Sequence, residues 1–157
     1  FDPIHNGHLD IIERCRPMFD EVVIAVLHNE DKNPLFSVEE RMEMIREQVA
    51  GLQNVEVDSF NGMLVDYLKK QKTNIILRGI RTVSDFEYEF QRALANRVLD
   101  RKAETIFVMT SEQYSFLNST LIKEAVSLAG SVSQFVPPGV ERRLVQKFKQ
   151  VYRKNLT

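Results

Sequence analysis

Short apolar runs alternate along this chain with longer stretches whose apolar positions recur every three or four residues. Strands followed by helices produce that pattern, which predicts an α/β fold of βα units on a mostly parallel sheet. Four runs read as strands: Val22 to Leu27, Val55 to Phe60, Ile75 to Leu77 and Thr105 to Met109. The first and third are apolar throughout, as strands covered on both faces should be. Phe135-Val136 is a candidate edge piece.

The helical stretches carry their own punctuation. Ser37-Val38-Glu39-Glu40 is a capping box, and Val38, Met42, Ile45 and Val49 follow it at helical steps. Phe86, Phe90, Leu94 and Val98 keep a four-residue step, and Val140, Leu144, Phe148, Val151 and Tyr152 make a second stripe; both predict faces buried in the core. Gly130 stands where a left-handed residue would end a helix running from about Ser119, and Pro137-Pro138-Gly139 predicts a turn before the last helix.

Composition narrows the class. At 157 residues, with 43% apolar and 27% charged, the chain suits a single domain over 1–157 and excludes collagen-like or disordered material. The longest apolar run, Val22 to Leu27, falls far short of the ~20 residues a membrane-crossing helix needs. A lone cysteine, Cys15, excludes an intrachain disulfide, fits a reducing cytoplasm and reads as helix packing. Net charge is −1, but six basic residues and one acid follow from Glu141 onward. That basic amphipathic tail reads as a solvated helix face in preference to a grip on nucleic acid or membrane.

Four segments could carry chemistry. His5-Asn6-Gly7-His8 lies at a helix start, where free N–H groups and the dipole favour an anion and Gly7 permits close approach. Lys32 sits in the polar loop leaving the first strand. Arg78-Gly79-Ile80-Arg81 follows the buried strand at Ile75, with guanidinium groups suited to bidentate phosphate contacts. Ser115 to Thr120 brings hydroxyls to another helix start. Each alone has an ordinary reading: a surface pair or two-ligand metal fragment for the histidines, a solvated lysine, loop arginines in solvent, and a helix cap for the hydroxyls. Three of them follow the carboxyl end of a predicted parallel strand, where open α/β sheets bind ligands. Together they predict an anion site rich in donors, without a metal cage or an activated nucleophile.

At these residues the sequence resembles the nucleotidyltransferases that carry an H-x-G-H motif, and within them the bacterial-type phosphopantetheine adenylyltransferases. The resemblance rests on Phe1-Asp2-Pro3-Ile4-His5-Asn6-Gly7-His8, Lys32-Asn33-Pro34, Arg78-Gly79-Ile80-Arg81 with Asp85-Phe86-Glu87-Tyr88-Glu89, and Tyr114 through Thr120. It implies a Rossmann-like, doubly wound fold and transfer of AMP from ATP to 4′-phosphopantetheine, giving dephospho-coenzyme A and pyrophosphate with Mg²⁺ assisting. It further implies His8, Lys32 and Arg81 as catalytic residues. ATP would be held by His8, Arg78, Gly79, Arg81, Glu89, Tyr114, Ser115, Ser119 and Thr120. The acceptor would lie near Lys32, Met63, Leu64, Arg78, Asn96 and Glu124. A cytoplasmic homo-oligomer, hexameric by analogy, with coenzyme A as a feedback ligand, belongs to the same implication. Two siblings of the reading are a nicotinate or nicotinamide mononucleotide adenylyltransferase and a non-catalytic nucleotide-binding module. Lys123, where the former would carry arginine, and the full His8, Lys32, Arg81 set weigh against them.

The resemblance also marks two departures. Relatives place a strand ending in glycine and a hydroxyl residue before the Phe-Asp-Pro element, so the chain is expected to begin inside a longer one and to lack the middle of its sheet. Asn118 stands where a serine is common.

Overall fold

The computed structural model describes residues 1–28 and 33–154. Helices and strands alternate: α1 (Asn6–Cys15), β1 (Val22–Leu27), α2 (Val38–Val49), β2 (Val55–Phe60), α3 (Leu64–Lys70), β3 (Ile75–Ile80), α4 (Val83–Leu99), β4 (Glu104–Met109), α5 (Ser119–Ser127) and α6 (Pro138–Lys154). Among the described residues all strand pairing is parallel, giving a Rossmann-like α/β fold. β1 pairs with β2 from Val22↔Val55 to Leu27↔Phe60, and β3 with β4 from Ile75↔Glu104 to Ile80↔Met109. These are two separate two-stranded sheets, with β1 and β3 unpaired to one another.

Most of the core lies on one side. Ile24 and Val26 of β1 meet Ile12 of α1, Met44, Ile45 and Val49 of α2, Ile122 and Val126 of α5, and Val140 and Leu144 of α6 in one buried cluster. The capping box forms as expected: Ser37 Oγ accepts from the Glu40 N–H at 3.2 Å, and Glu40 accepts from the Ser37 N–H at 2.8 Å. Beneath β3 and β4 the core is thin, comprising Leu68, Ile76 and Ala103 with Leu64 packed beside them.

That asymmetry overturns one expectation. The α4 stripe is not core: Phe86 and Phe90 are more than 40% exposed, and Val98 reaches 84%. A four-residue apolar step specifies a sticky face, but only a neighbouring element can bury it. The α6 stripe fares differently, being fully buried at Val140 and Leu144 and half-exposed by Val151. Nor is the basic side of α6 simply solvated. Arg143 pairs with Glu47 at 2.7 Å and Lys147 with Glu40 at 2.6 Å, joining α6 to the acidic side of α2.

Smaller differences have local causes. β3 runs on to Ile80, so Arg78 and Gly79 are strand residues and not part of the following loop. Phe135 and Val136 lie in a turn and form no strand. Pro138 opens α6, at a position whose missing N–H costs no helical bond. Helix α5 ends with Ala129, not Gly130, in the left-handed region at φ 61°. Ala129 N donates to Val126 O at 3.0 Å and Gly130 N to Ala125 O at 2.9 Å, the paired bonds of a Schellman closure.

Candidate active site

One cleft between β1 and β3 is lined by residues from several segments of the chain. Its walls bring together His5, Gly7 and His8 from α1, Arg78 and Gly79 from β3, and Arg81 just beyond it. From the far side come Tyr114, Asn118 and Ser119; Met63, Leu64, Glu89 and Asn96 line it as well. Segments far apart in the sequence thus meet at one site, because parallel strands deliver their following loops to a common edge.

The two histidines form one unit. Their rings stack at 3.7 Å between centroids, and Phe1 lies against the outer face of His8 at 4.6 Å. The His5 N–H donates to His8 Nδ1 at 3.2 Å. With Nδ1 acting as acceptor, the neutral His8 ring carries its proton on Nε2 and can donate only from there. Burial above all, then the neighbouring His5 and Arg81, hold the His8 pKa well below its ordinary value. The same burial, with Arg81 adding, lowers the His5 pKa as well. Both rings are neutral near pH 7, as the positive end of a helix favours. His5 is 4% exposed and its Nδ1 has no partner. A Cβ on Gly7 would press on that ring at 3.2 Å and on Tyr114 Cβ at 3.4 Å, so glycine gives the stack its room.

Arg81 is held rigidly. Asp85, one helical turn on, takes its Nε at 2.8 Å and its Nη2 at 3.0 Å, while Nη1 donates to Leu117 O at 2.7 Å. A guanidinium fixed on three sides is a placed charge. Arg78 Nε lies 3.3 Å from Glu89 Oε2, an ion pair spanning β3 and α4. Gly79 has a packing reason beyond ligand approach, since a Cβ there would run into the Ile11 side chain.

A second clamp fixes the edge. Asp2 accepts from Leu35 N–H at 3.1 Å, Phe36 N–H at 3.0 Å and Lys123 Nζ at 2.7 Å. Burial works to raise the Asp2 pKa, but the lysine and the two main-chain donors prevail and hold it below the ordinary carboxylate range. Sequence reasoning gave Asp2 and Lys123 no joint role, because nothing local links residues 121 positions apart. Asn118 caps α5 by accepting from Leu121 N–H at 2.8 Å, doing what a serine would do there. Ser119 Oγ donates to Pro3 O at 3.0 Å, tying α5 to the segment before α1.

Not every expected residue reaches the cavity. Ser115 turns its hydroxyl to Glu112 O at 2.8 Å, and Thr120 and Glu124 are exposed on α5 away from the lining. A helix repeats every 3.6 residues, so Ser119 facing inward carries its neighbour Thr120 about 100° round the axis. Lys32 lies outside the described residues; Asn33 and Pro34, next in the chain, line the cavity. Among the described residues no three His, Cys, Asp or Glu gather into a metal cage. The donor set of imidazole, guanidinium and hydroxyl is one for anions, so a Mg²⁺ ion would fit here only on the phosphate oxygens of a bound nucleotide.

Placed donors at the carboxyl edge of parallel strands define an α/β protein that binds phosphorylated ligands and can exchange partners at phosphorus. The family model described as Cytidylyltransferase-like matches residues 1–125, and the chain belongs to that family. It is a nucleotidyltransferase by family.

Proposed function

We propose that this protein transfers AMP from ATP to 4′-phosphopantetheine, releasing pyrophosphate and forming dephospho-coenzyme A. The observation that carries the reading is the convergence of His8 and Arg81 on one cavity that also has the apolar Met63 and Leu64 and the amide of Asn96 on its wall. Such a site suits a long acceptor with a phosphate at one end and an amide-bearing arm. The attacking phosphate monoester is largely dianionic at neutral pH, its second pKa being about 6, so no general base is required. The acceptor oxygen attacks the α-phosphorus of ATP as the bond to the bridging oxygen breaks, and pyrophosphate departs with that electron pair. His8 Nε2–H donates to the charge that grows on the α-phosphate oxygens, and Arg81 neutralises the triphosphate. Lys32 supplies a further cation to the two reacting phosphates in this reading. A Mg²⁺ ion carried by the nucleotide would add charge neutralisation, while the residues position and donate.

Self-association belongs to the same reading. The exposed apolar row of α4 supports a second copy of this chain as its cover.

Pyrophosphate release measured with ATP and either 4′-phosphopantetheine or nicotinate mononucleotide tests the acceptor. Turnover with the first alone is expected. Turnover with the second alone assigns the sibling reaction, and release with neither leaves a nucleotide-binding module.

A further inference from the structure

Three segments beside the cleft meet at one carboxylate. Asp2 stands in the stretch that leads into α1, and its two oxygens take the main-chain N–H groups of Leu35 and Phe36 at 3.1 and 3.0 Å. From α5, Lys123 Nζ closes on Oδ2 at 2.7 Å. The lysine side chain is 28% exposed and the carboxylate 17%, so water screens this pair less than one on an open surface. Burial raises the Asp2 pKa, and of the groups that hold it down all the same, Lys123 counts most.

Helix α5 grips the stretch twice. Ser119 and Lys123 lie four residues apart, hence on one face of the helix, and Ser119 Oγ donates to Pro3 O at 3.0 Å. Asp2 by its side chain and Pro3 by its carbonyl are thereby tied to α5. What these two residues carry is the histidine unit. Beyond Pro3 come the buried Ile4 and then His5, whose N–H and ring both bear on His8. Before Asp2 comes Phe1, whose ring lies on the outer face of His8. The chain on either side of the clamp therefore reaches His8.

The proposed reaction gives neither Asp2 nor Lys123 a task. Lys123 lines the cleft, but its ammonium is already answered by the Asp2 carboxylate and is not a spare charge for a nucleotide phosphate. From this geometry we infer that Lys123 is a positioning residue: acting through Asp2, it fixes the Phe1–Pro3 stretch and with it the His5–His8 stack. The inference deepens the adenylyl-transfer reading and rests on it for its effect on rate, whereas its effect on the histidines needs no turnover. A donor aimed at developing charge works only when it is placed, and a displacement of about 1 Å is enough to cost up to a hundredfold.

The test compares wild type, Lys123→Met, Asp2→Asn, the double variant and Lys123→Arg, each as the full chain with its fold checked by circular dichroism. Rates are measured with ATP and 4′-phosphopantetheine, and the histidine ring signals by NMR. Lys123→Met should lower kcat about tenfold, with the ATP KM within about twofold of wild type, because placement is lost and nucleotide contacts are kept. Asp2→Asn should cost about as much, and the double variant no more than either single one, since all three remove one interaction. Lys123→Arg keeps the cation and should recover most of the rate. The ring signals of His5 and His8 should shift in Lys123→Met and return in Lys123→Arg. Should Lys123→Met fail to fold, Asp2→Asn, which keeps an oxygen for the main-chain donors, is read in its place. Unmoved His5 and His8 signals overturn the inference whatever the rates. So does a raised ATP KM with losses that add in the double variant, which makes Lys123 a phosphate ligand in its own right. Absence of turnover in the wild type removes the adenylyl-transfer reading instead, and the histidine signals then decide the positioning role by themselves.

Discussion

The main-chain N–H of His5 points at Nδ1 of His8 across 3.2 Å, and this one contact decides which nitrogen of His8 can donate. Because Nδ1 is occupied as an acceptor, the proton of the neutral ring sits on Nε2. His8→Ala should therefore lower kcat by about 10²–10³, the usual cost of one donor aimed at developing charge, while the ATP KM stays within a few-fold. Single-turnover kinetics distinguishes that outcome from a loss of binding.

The Asp85 carboxylate grips Arg81 through Nε and Nη2. Asp85→Ala should leave the guanidinium mobile and reduce kcat/KM roughly tenfold or more, since a displacement of about 1 Å is enough to cost that much. A rate within twofold of wild type would show that Arg81 is fixed by Leu117 O alone.

Neutral buried histidines couple stability to pH. The folded pKa values of His5 and His8 both lie below the ordinary value of 6.5. Below pH 6.5 the unfolded chain takes up protons that the folded chain refuses, so stability is complete above that value and declines as pH falls below it. The urea midpoint should fall between pH 7.5 and 5, and the double variant His5→Asn, His8→Asn should flatten that slope. Asp2 adds its own loss only in stronger acid, because its lowered pKa is crossed below the model-peptide range.

Ala129 closes α5 in a left-handed conformation at φ 61°. Glycine pays no Cβ penalty there, so Ala129→Gly should stabilise the protein by roughly 0.5–1 kcal/mol after the added unfolded-state entropy is deducted. Denaturant unfolding at constant m value measures it. A destabilised variant would mean that the Ala129 methyl contributes contacts worth more than the strain.

The α4 face offers a different kind of test. Leu94 is 47% exposed between Phe90 and Val98. Leu94→Glu should shift the sedimentation profile toward the monomer while leaving the fold intact by circular dichroism. Identical sedimentation of variant and wild type would remove this face from self-association.

Local information was enough for much of this molecule. The apolar runs locate β1 and β2 at their true ends, and Ser37 with Glu40 fixes the start of α2, since strand periodicity and a capping box are written within a few consecutive residues. His8, Arg78 and Arg81 are legible for the same reason, being set in a short motif at a helix or strand end. The closure of α5 at Ala129 was not legible, because the chain places an alanine where glycine is the usual signal.

What the sequence by itself determined is the order of βα units and the residue types available to meet an anion. What only the tertiary structure decided is which of them meet: Ser119 but not Thr120 or Glu124, and Asp2 with Lys123. It also decided that α4 keeps its apolar row uncovered while α6 buries its own. Periodicity is a property of neighbours along the chain, whereas burial and pairing depend on what other elements bring to the same place.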